Sequence, residues 1–75
     1  SAENKRRQPD EADRLSAREK EILRMVASGY TSVEVGSRLL ISSMTVNTHL
    51  RNIYRKLQVR TRAQAVRFAS LRGLF

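Results

Sequence analysis

The stretch Ile41 to Leu57, I-S-S-M-T-V-N-T-H-L-R-N-I-Y-R-K-L, constrains the fold more than any other part of the chain. Wound as a helix at about 100° per residue, it places Leu50, Ile53 and Leu57 within roughly 40° of Val46, a narrow apolar stripe. Asn47, Thr48, Arg51 and Arg55 then fall between about 100° and 200°, on the other side. Such a helix is stable only if the stripe is covered, so the rest of the chain has to supply a small core. The opposite face offers amide, hydroxyl and guanidinium groups to something outside. That division suits a helix lying in the major groove of DNA, where Asn and Arg side chains can each make two hydrogen bonds to a base edge.

The other segments supply such a core from helices. Ser16 and Glu19 form a capping box, in which the hydroxyl serves a backbone N–H three residues on and the carboxylate reaches back to the cap. Ile22, Leu23 and Val26 follow at helical spacing, and Gly29 stands where a left-handed terminal residue is wanted. Thr31 and Glu34 open a second helix, with Tyr30 and Val35 placed as a hydrophobic staple and Val35, Leu39 and Leu40 as its apolar face. Gly36 inside that helix costs about 1 kcal/mol relative to Ala, which implies a close approach to a neighbour. Ser42 caps the third helix, with Ile41 and Val46 as another staple pair. The connection from Leu40 to Ser42 is short enough to imply a helix-turn-helix. Thr61 and Gln64 open a fourth helix carrying Ala65, Val66, Phe68, Ala69 and Leu71, which Gly73 ends. No two-residue alternation is sustained and no hairpin dipeptide occurs. The expected fold is all-α: four short helices containing a helix-turn-helix.

Residues 1–14 are polar, contain the only proline, Pro9, and show no apolar periodicity, so they read as a flexible linker ahead of a domain at residues 15–75. A linker in that place suggests an N-terminal regulatory domain before it. With no cysteine there is neither a disulfide nor a thiolate zinc site, and one histidine cannot assemble a metal set. No apolar run approaches the roughly 20 residues of a membrane span, so a cytoplasmic location is expected.

The formal net charge of +8 becomes informative once it is located. Residues 1–14 net to zero, and no acid occurs beyond Glu34, whereas Arg38, Arg51, Arg55, Lys56, Arg60, Arg62, Arg67 and Arg72 follow. A one-signed surface of this kind either solubilises or attracts a polyanion. Sharing a helix with Asn47 and Thr48 favours the polyanion.

At this point several motifs in order carry a resemblance. L-S-A-R-E-K-E-I-L at Leu15 to Leu23, A-S-G-Y-T at Ala27 to Thr31, I-S-S-M-T-V-N-T-H at Ile41 to His49 and I-Y-R-K-L-Q-V-R-T-R-A-Q-A-V at Ile53 to Val66 resemble the LuxR-type (GerE or FixJ/NarL-type) DNA-binding domain. The resemblance implies a recognition helix at about residues 43–58 and bacterial transcriptional regulators that bind inverted-repeat operators in double-stranded DNA. It implies homodimers as well, commonly joined through the fourth helix at residues 61–72, which here offers Ala65, Phe68, Ala69 and Arg72. Positions matching Asn47, Thr48 and Arg51 face base edges in the family, and those matching Thr45 and Lys56 touch phosphates. The chain departs from the family pattern at Gly36, where Ala is usual, and at Val33, where many members carry a polar or basic residue.

Each assignment has a plainer counterpart. Asn47 is otherwise a solvated helix residue, and Arg51 a phosphate clamp without sequence information. Arg55 and Lys56 lie a turn or more further along, where phosphate is the nearer target. Thr31 and Ser43 start helices and could present hydroxyl and N–H groups to phosphates, or simply cap; both roles can hold together. His49 lies about 60° from Val46, at the edge of the core stripe, with no acid near in sequence to orient it, and reads as a packing residue within reach of a phosphate. No cofactor and no catalytic set is implied. The expected function is sequence-specific DNA binding as the output domain of a transcriptional regulator, with RNA polymerase as a further partner. The alternative is a protein-interaction module that uses the fourth helix and has weak DNA affinity of its own.

Overall fold

The computed structural model describes residues 14–73. The linker expected at residues 1–14 therefore lies outside the described residues, apart from Arg14. Four helices follow: α1 (Ala17–Ala27), α2 (Ser32–Leu39), α3 (Ser43–Leu57) and α4 (Arg62–Leu71). No strand occurs among the described residues, and the all-α reading holds.

Side chains fix where each helix begins. Ser16 Oγ accepts the N–H of Glu19 at 3.1 Å, and Glu19 Oε1 accepts the N–H of Ser16 at 2.8 Å. The same reciprocal pair recurs at Thr31 and Glu34 (3.2 and 2.9 Å) and at Thr61 and Gln64 (3.1 and 3.3 Å). Ser42 caps α3 by accepting the N–H of Thr45 at 3.0 Å. Every helix start thus satisfies N–H groups that have no partner within the helix.

Three helices end alike. After α1, the N–H of Tyr30 reaches back to Met25 O at 3.1 Å, with Gly29 at φ 102° between them. After α2, Ile41 N–H reaches Gly36 O at 2.9 Å across Leu40, at φ 60°. After α3, Val59 N–H reaches Tyr54 O at 2.9 Å across Gln58, at φ 58°. Each closure turns the chain sharply through one left-handed residue and occupies a terminal carbonyl. The expectation that Leu40 belongs to the apolar face of α2 is corrected here: it is the left-handed turn residue and is 91% exposed.

The core is one cluster. Ile22, Leu23 and Val26 of α1 meet Val35 of α2, Val46, Leu50, Ile53 and Leu57 of α3, and Ala65 and Ala69 of α4, with Leu15 packed beneath. Fully burying each Leu, Ile or Val contributes about 1.5–3 kcal/mol against the entropy of ordering the chain. The α3 stripe is buried along its whole length, which is what aims its other face outward.

Gly36 permits the turn between α2 and α3. A Cβ built on it would stand 2.5 Å from Ile41 O and 3.3 Å from both Ser42 C and Ser43 N. The close approach implied by a helix-interior glycine is therefore to the backbone that leads into α3. Ala65 and Ala69 do the same for α4. Both are wholly buried, and their small size lets α4 lie against α1 and α3.

Candidate nucleic-acid interface

The residues expected to face outward from α3 do so. Asn47, Thr48, Arg51 and Arg55 are exposed, while Val46, Leu50, Ile53 and Leu57 behind them are buried. Their side chains differ in what they have left to offer. Thr48 Oγ1 donates to Met44 O at 3.1 Å within the helix, so its methyl group and an oxygen lone pair remain for an outside partner. Asn47 Oδ1 accepts from Ser32 Oγ at 2.6 Å, a bond that crosses from α2 and sets the first turn of α2 beside the Asn47 side of α3. Arg55 Nη2 donates to Asn52 Oδ1 at 2.7 Å, so this guanidinium is folded along its own helix.

At the start of α3, Ser42 Oγ donates to Thr45 Oγ1 at 2.9 Å while accepting the Thr45 N–H, which fixes the Thr45 hydroxyl beside the helix N-terminus and leaves its proton to donate outward. Ser43 is half-buried and Thr31 exposed. Thr31 Oγ1 accepts the Glu34 N–H, and its own O–H is left over. That backbone-plus-hydroxyl cap, together with Arg38, holds the Glu34 carboxyl below the usual carboxylate range. His49 is half-buried, in keeping with a place at the edge of the core stripe.

Lys56 is tied more firmly than an outward phosphate contact requires. Its Nζ lies 2.7 Å from Glu19 Oε1, and Glu19 is 4% exposed. Burial alone would raise the Glu19 carboxyl, but the Lys56 ammonium and the Ser16 N–H outweigh it and hold the group below its ordinary range. Lys56 thus joins α3 to α1, and its remaining N–H groups are what a phosphate could use.

Arginines brace the frame around this face. Arg62 donates to the carbonyl of Tyr30, linking the start of α4 to the loop between α1 and α2. The Arg38 guanidinium stands 4.4 Å from the centroid of the Tyr30 ring, a favourable contact with its face. Tyr54 is half-buried, and burial pushes its phenol up, partly offset by Arg62.

The four residues expected at a dimer contact separate. Ala65 and Ala69 are enclosed in the domain's own core, where a partner chain cannot reach them. Phe68 is half-buried under Arg72, whose guanidinium lies 4.9 Å from the ring centroid. The accessible apolar surface of α4 instead lines a shallow groove with Ala27 of α1, formed by Ala63, Val66 and Leu71 and flanked by Arg62 and Arg67. Leu71 is 74% exposed there.

Ser32, and the burial of the capping residue Glu19 against Lys56, escaped the sequence reading. Nothing local marks Ser32, because its partner is on another helix. Glu19 carried a signal: it precedes Ile22, Leu23 and Val26 by three, four and seven residues, the spacing of a residue on the buried stripe.

Among the described residues no helix is long and apolar enough to cross a membrane, and no group of three or more His, Cys, Asp or Glu is gathered that could hold a metal ion.

The sequence profile of the family described as "Bacterial regulatory proteins, luxR family" matches residues 13–69. The chain is 51% identical over 51 residues to YhjB of Escherichia coli (strain K12), named as an HTH-type transcriptional regulator; the match covers 68% of this chain and 26% of that protein. It is 46% identical over 57 residues to SgaR of Hyphomicrobium methylovorum, named as a transcriptional regulatory protein, covering 76% of this chain and 27% of the relative. It is 47% identical over 55 residues to the response regulator protein VraR of Staphylococcus aureus (strain Mu3), covering 73% and 26%. The chain thus matches about a quarter of the length of each relative.

Proposed function

The chain belongs to the luxR family of bacterial regulatory proteins, and from that premise we propose that it is the sequence-reading output domain of a transcriptional regulator, with α3 in the major groove of double-stranded DNA. One observation carries this reading: the exposed Asn47, Thr48 and Arg51 lie on a helix whose opposite side is buried along its length. A helix so held presents those three side chains as a rigid set. Arg51 has the fork geometry that matches guanine O6 and N7, Asn47 supplies an amide, and the Thr48 methyl suits the methyl of thymine. Thr31, Ser43 and Thr45, at the starts of α2 and α3, hold the duplex through phosphates where the helix dipoles favour negative charge. Arg55 and Lys56 extend that grip from the far end of α3, Lys56 in the N–H groups that Glu19 leaves over. These contacts position; the central three specify.

The test is binding of the wild type and Arg51→Ala to duplexes selected from a random pool and to the unselected pool. Selected duplexes are expected to bind about 10³-fold or more above the pool, and Arg51→Ala to lose about 10-fold or more on the selected set with little change on the pool. Equal losses on both sets would make Arg51 a phosphate clamp. No preference in the wild type would remove the base-reading assignment altogether.

A second reading concerns α4. The groove of Ala63, Val66 and Leu71 favours a protein contact, and a second copy of the domain on an inverted-repeat operator is the partner that the two-fold arrangement of half-sites requires. That contact is placed on the outer side of α4, with Phe68 and Arg72 at its margin rather than Ala65 and Ala69 at its centre.

A further inference from the structure

Met44 is an apolar residue in the middle of a polar face. Wound at about 100° per residue, it lies roughly 160° from Val46, between Arg51 at about 140° and Arg55 at about 180°. It therefore stands opposite the buried stripe, and it is 77% exposed. It is also the second residue of α3, in the first turn, the part of a recognition helix that reaches base edges. Thr48 follows one turn later on the same face and donates its hydroxyl to Met44 O at 3.1 Å. That bond restrains the Thr48 side chain and keeps its methyl group as the neighbour of Met44 across one helical turn.

A duplex docked on this face covers Met44 whatever its sequence. The thioether has no proton to donate and is only a weak acceptor. An adenine or cytosine amino group, or guanine O6 and N7, pressed against it loses water and gains no partner. The thymine 5-methyl group is the one methyl that the major-groove edges of the four bases present. An unbranched, flexible side chain can settle on it where a stiffer one would need an ideal distance. Covering one methyl in this way is worth about fourfold in affinity.

We infer that Met44 is a specificity-determining residue: its side chain seats the 5-methyl group of a thymine in the major groove, with the Thr48 methyl beside it. The inference rests on the proposal that this face of α3 reads bases, and it adds an apolar reader to a polar set. 5-Methylcytosine carries the same group, so the experiment takes the two bases separately.

Wild type, Met44→Ala, Met44→Leu and Thr48→Ser are bound to a selected duplex in which each thymine in turn is replaced by uracil, which lacks only the methyl group. For the wild type, uracil at one thymine is expected to cost about fourfold. Met44→Ala should bind the thymine duplex about as weakly as the wild type binds the uracil one, and should not distinguish the two bases there. Met44→Leu, close in volume, should keep most of the difference. Thr48→Ser, which keeps the hydroxyl, should narrow the difference without abolishing it. Affinity for random duplex should stay within about twofold in every variant, since no charge is removed. Alanine is a good helix former at an exposed position, so Met44→Ala is expected to fold. Replacing each cytosine by 5-methylcytosine should leave wild-type affinity within about twofold. A Met44-dependent gain at a cytosine, with no uracil penalty at any thymine, overturns the thymine assignment. A wild type that reads sequence but shows no uracil penalty that Met44→Ala removes overturns the inference and leaves the polar readers standing. A penalty removed by Thr48→Ser alone gives the methyl to Thr48 and overturns it too. If the wild type has no sequence preference, base reading by α3 falls and the inference falls with it.

Discussion

Leu40 carries a local cost that the fold tolerates for the sake of the turn. It sits at φ 60° and ψ 40°, a conformation in which a Cβ crowds the following carbonyl at a cost of about 1–2 kcal/mol. Its side chain recovers almost nothing, being 91% exposed. Leu40→Gly removes the strain while giving up part of the gain to the greater freedom of glycine in the unfolded chain. The net expected is a stabilisation of about 0.5–1 kcal/mol, read as a raised urea midpoint at unchanged slope. No change, or a loss, would mean that the exposed side chain contributes more than its surface area indicates. The same residue shows where sequence reading stops. Gly29 signals its left-handed place because glycine has few other reasons to stand there, whereas Leu40 and Gln58 adopt that conformation with ordinary side chains and give no sign. Leu40 moreover continues the apolar spacing of Val35 and Leu39, so it reads as core. Ser32 is silent for a different reason: its meaning lies in a partner fifteen residues away on another helix.

At the level of helices, starts were legible and faces less so. A helix start is announced by residues three apart, and Ser16 with Glu19, Thr31 with Glu34 and Thr61 with Gln64 all form the bonds their spacing implies. Which surface an apolar face covers is decided by the other helices. Ala65 and Ala69 suit a dimer contact or a tight core equally well by size, and they are in the core. Glu19 belongs to both categories, capping α1 and binding Lys56 of α3 in one carboxylate. Its carboxyl is held below its ordinary value of 4.5, so the folded state releases this proton more readily than the unfolded one. The stabilisation is therefore complete above that ordinary value and is lost as pH falls through the lower, folded one. Glu19→Gln keeps the shape but removes the charge. Lys56 is partly exposed, so the cost at pH 7 is expected to be about 1–2 kcal/mol rather than that of a fully buried pair. Urea unfolding of wild type and variant should show that gap at pH 7 and a progressive narrowing as pH falls below 4.5. A gap independent of pH would assign the loss to packing instead of the ion pair.

On the proposed function, the whole molecule would join a reading face on α3 to a surface on α4 that a second copy could cover. A domain of this size, gripping one half-site, gains affinity from a second copy without new base contacts, because the second binding event becomes local. The basic surface works against this pairing, since Arg62 and Arg67 flank the groove on α4 and two copies would bring them together. DNA relieves that repulsion by supplying opposite charge, so the contact through Ala63, Val66 and Leu71 is expected to form on the operator and to be weak in free solution. Leu71→Lys tests it. Leu71 is 74% exposed, so its replacement leaves the core intact, and a cation in the last turn of α4 is favourable to the helix dipole. Affinity for a single half-site should then stay within about twofold of the wild type, while affinity for an inverted repeat with half-sites one DNA turn apart falls by about tenfold or more. The slope of log affinity against log salt for that repeat should fall toward the half-site value, because each phosphate contact releases about 0.9 counterion and only one domain remains engaged. If Leu71→Lys binds the repeat as tightly and as steeply as the wild type, α4 is not the contact between copies. Two domains would then bind their half-sites independently, or meet through another surface.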